Sequence, residues 1–225
     1  MPIAVSFRSL LVVAFVAVTG SIALHAPVIA QTAEAPVAVT AEPVVATLDG
    51  FRSATFGDDV DAVRAAIKVD FGIEGDAVKV GLNTVERTQV MTVLVPDVLA
   101  DGGIAQISYI FGYKSKALIQ VGLLWSPVTD PEITDATLYG NGDVLRAFLV
   151  SAGYAPETVS RDVVLENGIL LFRGSDPKGH TAILLLQGRF EDKDNQRTLF
   201  PESLTLLYAV SPDKPDILTI EKGDF

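Results

Sequence analysis

Residues Ala54–Ala65 read Ala-Thr-Phe-Gly-Asp-Asp-Val-Asp-Ala-Val-Arg-Ala, and 82 positions later Ala136–Ala147 read Ala-Thr-Leu-Tyr-Gly-Asn-Gly-Asp-Val-Leu-Arg-Ala. Farther on, Trp125-Ser126-Pro127 matches Val210-Ser211-Pro212 at an offset of 85, and the extra three positions are what one loop insertion would add. A self-match of this kind constrains the fold more than composition does, because each copy of a repeat has to be one supersecondary unit. The chain is therefore expected to carry two copies of one unit, at residues 49–131 and 132–225.

Each copy opens with a predicted helix. In the first, Asp58 or Asp59 can cap, and Val60, Val63, Ala66 and Ile67 form an apolar stripe at helical spacing. In the second, Asn141 can cap, and Leu145, Phe148, Leu149 and Ala152 make the stripe, with Gly72 and Gly153 placed to end the two helices. Period-two alternation then predicts strands near 78–82, 88–95, 104–113 and 117–125, and near 163–166, 169–172, 181–188 and 204–210. Asn167-Gly168 reads as a type I′ hairpin turn and Asp176-Pro177-Lys178-Gly179 as a second turn. The expected class is α+β: two tandem helix-plus-antiparallel-meander repeats with the helices on one face of the sheet. Ile107, Tyr109, Phe111 and Tyr113 are assigned to the covered core face, and Gln106, Ser108 and Gln120 to a partly wet face.

The first thirty residues carry Arg8 and then an almost wholly apolar run from Leu10 to Leu24, with no acidic residue before Glu34. A spanning helix needs about 20 apolar residues, and Val28-Ile29-Ala30 offers a small-residue cleavage site, so residues 1–30 read as a cleaved signal peptide. An uncleaved anchor is the alternative. Residues 31–48, rich in Ala, Pro and Glu, read as a flexible linker. The export signal points to a periplasmic or secreted bacterial protein without a stable membrane anchor after cleavage. The formal net charge of −11 makes nucleic acid a poor partner.

Few chemistries are on offer. The chain has no cysteine and two histidines, of which only His180 follows the signal, so a usual zinc site cannot be assembled. Ser175 and Asp176 lie near His180, but Gly-x-Ser-x-Gly is missing, and the histidine reads as a strand-end residue. Gly140-Asn141-Gly142 starts a dinucleotide pattern, but Leu145 stands where the third glycine belongs. A calcium loop started at Asp192 fails at Arg197 and Ser203, and around Asp70, Glu74 and Asp76 glycines occupy ligand positions. Asp61 with Arg64 and Asp143 with Arg146 read as helix-surface ion pairs. No catalytic, cofactor-binding or metal-ligating residue is assigned, and no cofactor is expected.

The segment Phe51–Gly57, followed by Asp59-Val60 and an amphipathic helix, resembles the helix start of small exported α+β modules, the group of the outer-membrane assembly lipoprotein BamE and the β-lactamase inhibitory proteins. Gly57 and Val60 are the main points of contact, and the lipobox of BamE-type proteins is missing. The resemblance implies recognition or scaffolding of another envelope protein by a curved sheet, without catalysis. The leading expectation is accordingly a non-enzymatic envelope binding or scaffold protein, with Gln106, Ser108 and Gln120 as candidate partner-binding residues. The alternative is a carboxylate-dependent hydrolase or a small-ligand-binding protein with a pocket between the repeats.

Overall fold

The computed structural model describes residues 45–194 and 196–219; the signal segment 1–30 and the linker up to residue 44 lie outside the described residues. The short strands β1 (Gly50–Phe51) and β2 (Ala54–Thr55) pair as a two-stranded sheet and lead into helix α1 (Val60–Phe71). The strands β3 (Lys79–Leu82), β4 (Gln89–Val95), β5 (Ala105–Phe111) and β6 (Leu118–Trp125) follow. Helix α2 (Asp135–Ser151) comes next, then β7 (Ser160–Leu165), β8 (Gly168–Ser175), β9 (Thr181–Lys193) and β10 (Gln196–Ala209).

Strands β3 to β10 form one antiparallel eight-stranded sheet in the order β3-β4-β5-β6-β10-β9-β8-β7. This corrects the expected α+β class of two helix-plus-meander repeats with helices on one face. The described chain is mostly β, with one continuous sheet, a separate two-stranded sheet and two dissimilar helices. The physical reason is the join. Strands β6 and β10 pair over six residues, from Leu204 opposite Trp125 to Ala209 opposite Gln120. Left as the edges of separate sheets, both would expose unpaired backbone groups beside their most apolar faces. The helices also sit differently: α2 packs on β8, β9 and β10, whereas α1 abuts β2. Even the sequence match that suggested a repeat divides, since Ala54-Thr55 form a strand and Ala136-Thr137 the first turn of a helix.

Alternation sets the two faces of the sheet. Ala105, Ile107, Tyr109 and Phe111 of β5 and Val121, Leu123 and Trp125 of β6 are buried, as are Leu204, Leu206 and Tyr208 of β10. Burying each such side chain stabilises by about 1.5–3 kcal/mol. A bulge where β6 meets the end of β5 turns Leu118 to the core as well. In the β7–β8 hairpin Leu165 faces Gly168, so Glu166 and Asn167 form the loop, and neither has positive φ. The expected Asn-Gly type I′ turn is therefore not the one formed. Gly168 is required for another reason: a Cβ there would lie 2.3 Å from the Leu186 carbonyl oxygen.

Helix α1 is capped as expected, with Asp59 accepting from the Ala62 amide and Gly72 closing it at φ 68°. Helix α2 starts about two turns earlier than its sequence suggests. Thr134 is the cap, accepting from the Thr137 amide, and Asn141 lies inside the helix. Buried there, Asn141 donates from Nδ2 to the Gly102 carbonyl at 2.8 Å and so ties α2 to the β4–β5 connection. Gly142 allows close approach, since a Cβ would stand 3.0 Å from Leu171 Cδ1 on β8. The expected pairs along the helices do not form among the described ion pairs: Arg146 bonds Asp162 on β7 rather than Asp143. Replacing Asn141 by Ala strands a buried carbonyl and is expected to destabilise by about 1–2 kcal/mol in urea unfolding. Thr134→Ala removes the true cap and should lose about 1 kcal/mol. The reverse ranking, with Asn141→Ala silent, would contradict this placement.

Candidate functional site

Residues 45–49 run as a strap into β1, and part of the stretch read as flexible linker is thus held in place. Ala46 and Leu48 are buried, and the Ala46 amide donates to the Gly153 carbonyl at 3.0 Å. The main anchor is the turn between β8 and β9. Asp176, 5% exposed, accepts from the Leu48 amide at 3.0 Å through Oδ2 and from the Lys178 and His180 amides at 2.8 and 2.9 Å through Oδ1. His180 Nδ1 lies 2.6 Å from the Leu48 carbonyl, and the Phe56 ring meets the imidazole edge-on at 5.2 Å. Ser175 Oγ is engaged with Thr181 Oγ1 at 2.8 Å. Asp176 and His180 thus clasp the strap, while Ser175 bonds within the sheet.

Between this strap, α2 and the sheet lies a cavity of about 570 Å³. Its floor is the junction of β6 and β10: Leu123 and Trp125 from one strand, Leu206 and Tyr208 from the other, all buried. Strap residues Val45–Leu48 form one wall, and Leu145 and Phe148 of α2, with Ala152 just past its end, form the other. Val45, Val144 and Phe148 are each 59% exposed and therefore mark the opening. Neither Asp nor Glu nor His lines the space, and its one charged lining residue is Arg52. A second cavity of about 620 Å³ lies against β3 and β4, lined by Asp76 and Lys79 among apolar residues. Its two charged residues are both exposed, and it lacks the buried floor of the first.

The residues singled out for partner binding lie outside the first cavity, and Gln106 lines the second. Gln106, Ser108 and Gln120 lie half-buried on the opposite, open face of the sheet, where Gln106 Nε2 is 3.4 Å from Ser108 Oγ. Cross-strand register sets Gln106 beside Leu124, Ser108 beside Gly122 and Gln120 beside Ile110. Among the described residues no group of three or more His, Cys, Asp or Glu is placed to hold a metal. Asp70 accepts instead from the Ser53 amide and hydroxyl at 3.0 and 2.6 Å. No helix of the described residues is long and apolar enough to cross a membrane. A pocket between the repeats was the alternative expectation, but the residues lining this cavity escaped sequence reasoning because they come from five separated stretches of chain. The one local signal was Trp125, the single tryptophan of the chain, on a strand of otherwise aliphatic residues.

Three phenols are held against ionisation in and beside the cavity. Burial pushes Tyr109 and Tyr208 far above the ordinary tyrosine range, with the Asp70 charge adding to the effect at Tyr109 and Tyr154 adding at Tyr208. Burial, helped by the Asp176 charge, raises Tyr154 to about 12.

Two outcomes follow from this geometry. Unfolding releases the phenols to their ordinary value of about 10, so their contribution to stability is intact below pH ~10 and declines as pH climbs from there toward about 12. Urea unfolding followed at the tyrosinate absorbance should show that decline, and a stability flat across the window would refute buried phenols. Asp176→Ala leaves the buried Leu48 amide and the part-buried Lys178 and His180 amides without their acceptor, and is expected to destabilise by about 2–4 kcal/mol and to open the Arg52 bond to trypsin. Asp49→Asn, which removes only the exposed Lys178 pair at 2.7 Å, should be nearly silent. Equal effects from the two variants would contradict the clasp. No family model, no curated protein and no solved structure matches this chain.

Proposed function

We propose that the chain is an exported, non-enzymatic binding protein that holds a small apolar ligand in the cavity between strap, α2 and sheet. The observation that carries this reading is the cavity itself. Its size falls in the range of about 300–1,000 Å³ typical of small-molecule sites. Its buried floor is mainly apolar and aromatic, which suits desolvation of an apolar body. A hydrolase working through paired carboxylates gains nothing from this space, since no acid lines it. The proposed periplasmic or secreted location rests on the N-terminal sequence pattern.

A second reading concerns the open sheet face. Gln106, Ser108 and Gln120 alternate there with half-buried Ile110, Leu124 and Leu207. A mixed polar and apolar surface of this kind suits another envelope protein, as the resemblance to BamE-type and β-lactamase inhibitory modules also implies. It is the weaker of the two, because nothing on that face selects a partner.

Trp125 makes the first reading directly testable. Titration with a neutral apolar fluorophore such as N-phenyl-1-naphthylamine should quench or shift the indole emission with saturable, micromolar binding. Val144→Trp or Ala152→Phe at the opening should weaken uptake by about tenfold while leaving the melting temperature in place. A native protein that takes up no apolar probe would refute the reading.

A further inference from the structure

Resting on that reading, we infer that the cavity selects an amphiphile with one anionic head, a fatty-acid-like ligand whose tail enters over Trp125 and whose head is received by Arg52. Arg52 is exposed while the floor is buried, so the single positive charge of the lining stands at the opening and not within. The side chain is fixed in place. Its guanidinium carbon lies 4.6 Å from the Phe71 ring centroid and 5.7 Å from that of Phe51. Such contacts hold a planar cation by its face and leave the N–H groups along its edge free to donate.

What the guanidinium lacks is an acid. The nearby Asp70 carboxylate is taken by Ser53, and Arg52 reaches only the Asp70 carbonyl, at 3.5 Å. No carboxylate pairs with Arg52 among the described ion pairs of this acidic chain. Arg52 occupies the tight turn between β1 and β2 at φ 53°, a conformation it shares with Arg87 and Lys116. An arginine fork beside an apolar chamber fits a carboxylate or phosphate head with two donors while the tail is desolvated behind it. A neutral amphiphile would leave that fork unused.

The experiment compares dodecanoate with dodecanol, each below its aggregation limit, by Trp125 emission on the full folded protein. The native chain should bind the acid about five- to tenfold more tightly than the alcohol, and the preference should fade at high salt. Arg52→Gln should erase the preference while leaving dodecanol affinity within about twofold, and Arg52→Lys should restore part of it. Arg52→Gly suits the turn at φ 53° and serves as the charge-free variant if Gln disturbs folding. Dodecyl phosphate run beside dodecanoate tells a phosphate head from a carboxylate head by which is held more tightly. Equal affinity for acid and alcohol, or a preference that survives Arg52→Gln, overturns the inference and leaves the apolar cavity standing. Binding of neither probe overturns the inference together with the reading beneath it.

Discussion

The pairing of β6 with β10 is the contact on which the rest of this molecule depends. Each strand presents an apolar row to the core, and each would otherwise end its own half as an open edge. Joined in register, Leu123 stands opposite Leu206 and Trp125 opposite Leu204. The two halves thereby share one hydrophobic layer, and residues 45–219 belong to one compact unit. A sheet of eight strands leaves only β3 and β7 as edges. Lys79 on one, and Arg161 and Asp162 on the other, are charged residues of the sort that blunt edge-to-edge association.

The cavity is a consequence of that join. Its floor residues are the core-facing side chains of the two central strands, and neither helix covers them fully. Helix α2 packs over β8 to β10, and the strap bridges the remaining gap from the other side. The strap stays down because Asp176 gathers three amides and His180 meets the Leu48 carbonyl. Buried polar groups therefore hold a wall of the cavity in place. Arg52, the one charged residue of the cavity lining, sits in the turn just after β1.

Much of the strand content was legible because alternation is a local signal. The aromatic row Ile107, Tyr109, Phe111 is buried as its period implies, and Asp59, Gly72 and the Asp176–Gly179 turn do what their chemistry predicts. The start of α2 was not legible, because Gly140, Asn141 and Gly142 favour turns locally. Tertiary packing overrides that preference: Leu171 closes over Gly142, and the Asn141 amide finds the Gly102 carbonyl. The outer halves of β9 and β10 were missed because Glu191–Lys193 and Gln196–Thr198 are polar on both faces, which hides the alternation that marks a strand. The fusion of the halves, and with it the cavity, depends on which strand finds which neighbour at long range. No spacing in the sequence encodes that, and a self-match read as two separate units pointed away from it.

Amide hydrogen exchange, followed peptide by peptide on the intact protein, tests the join most directly. Central pairing predicts that segments 120–125 and 204–209 are among the last to exchange, while 79–82 and 160–165 exchange early as free edges. Exchange of 120–125 and 204–209 as fast as the edge strands would mean that β6 and β10 are not partners, and the shared floor beneath the cavity would be lost with them.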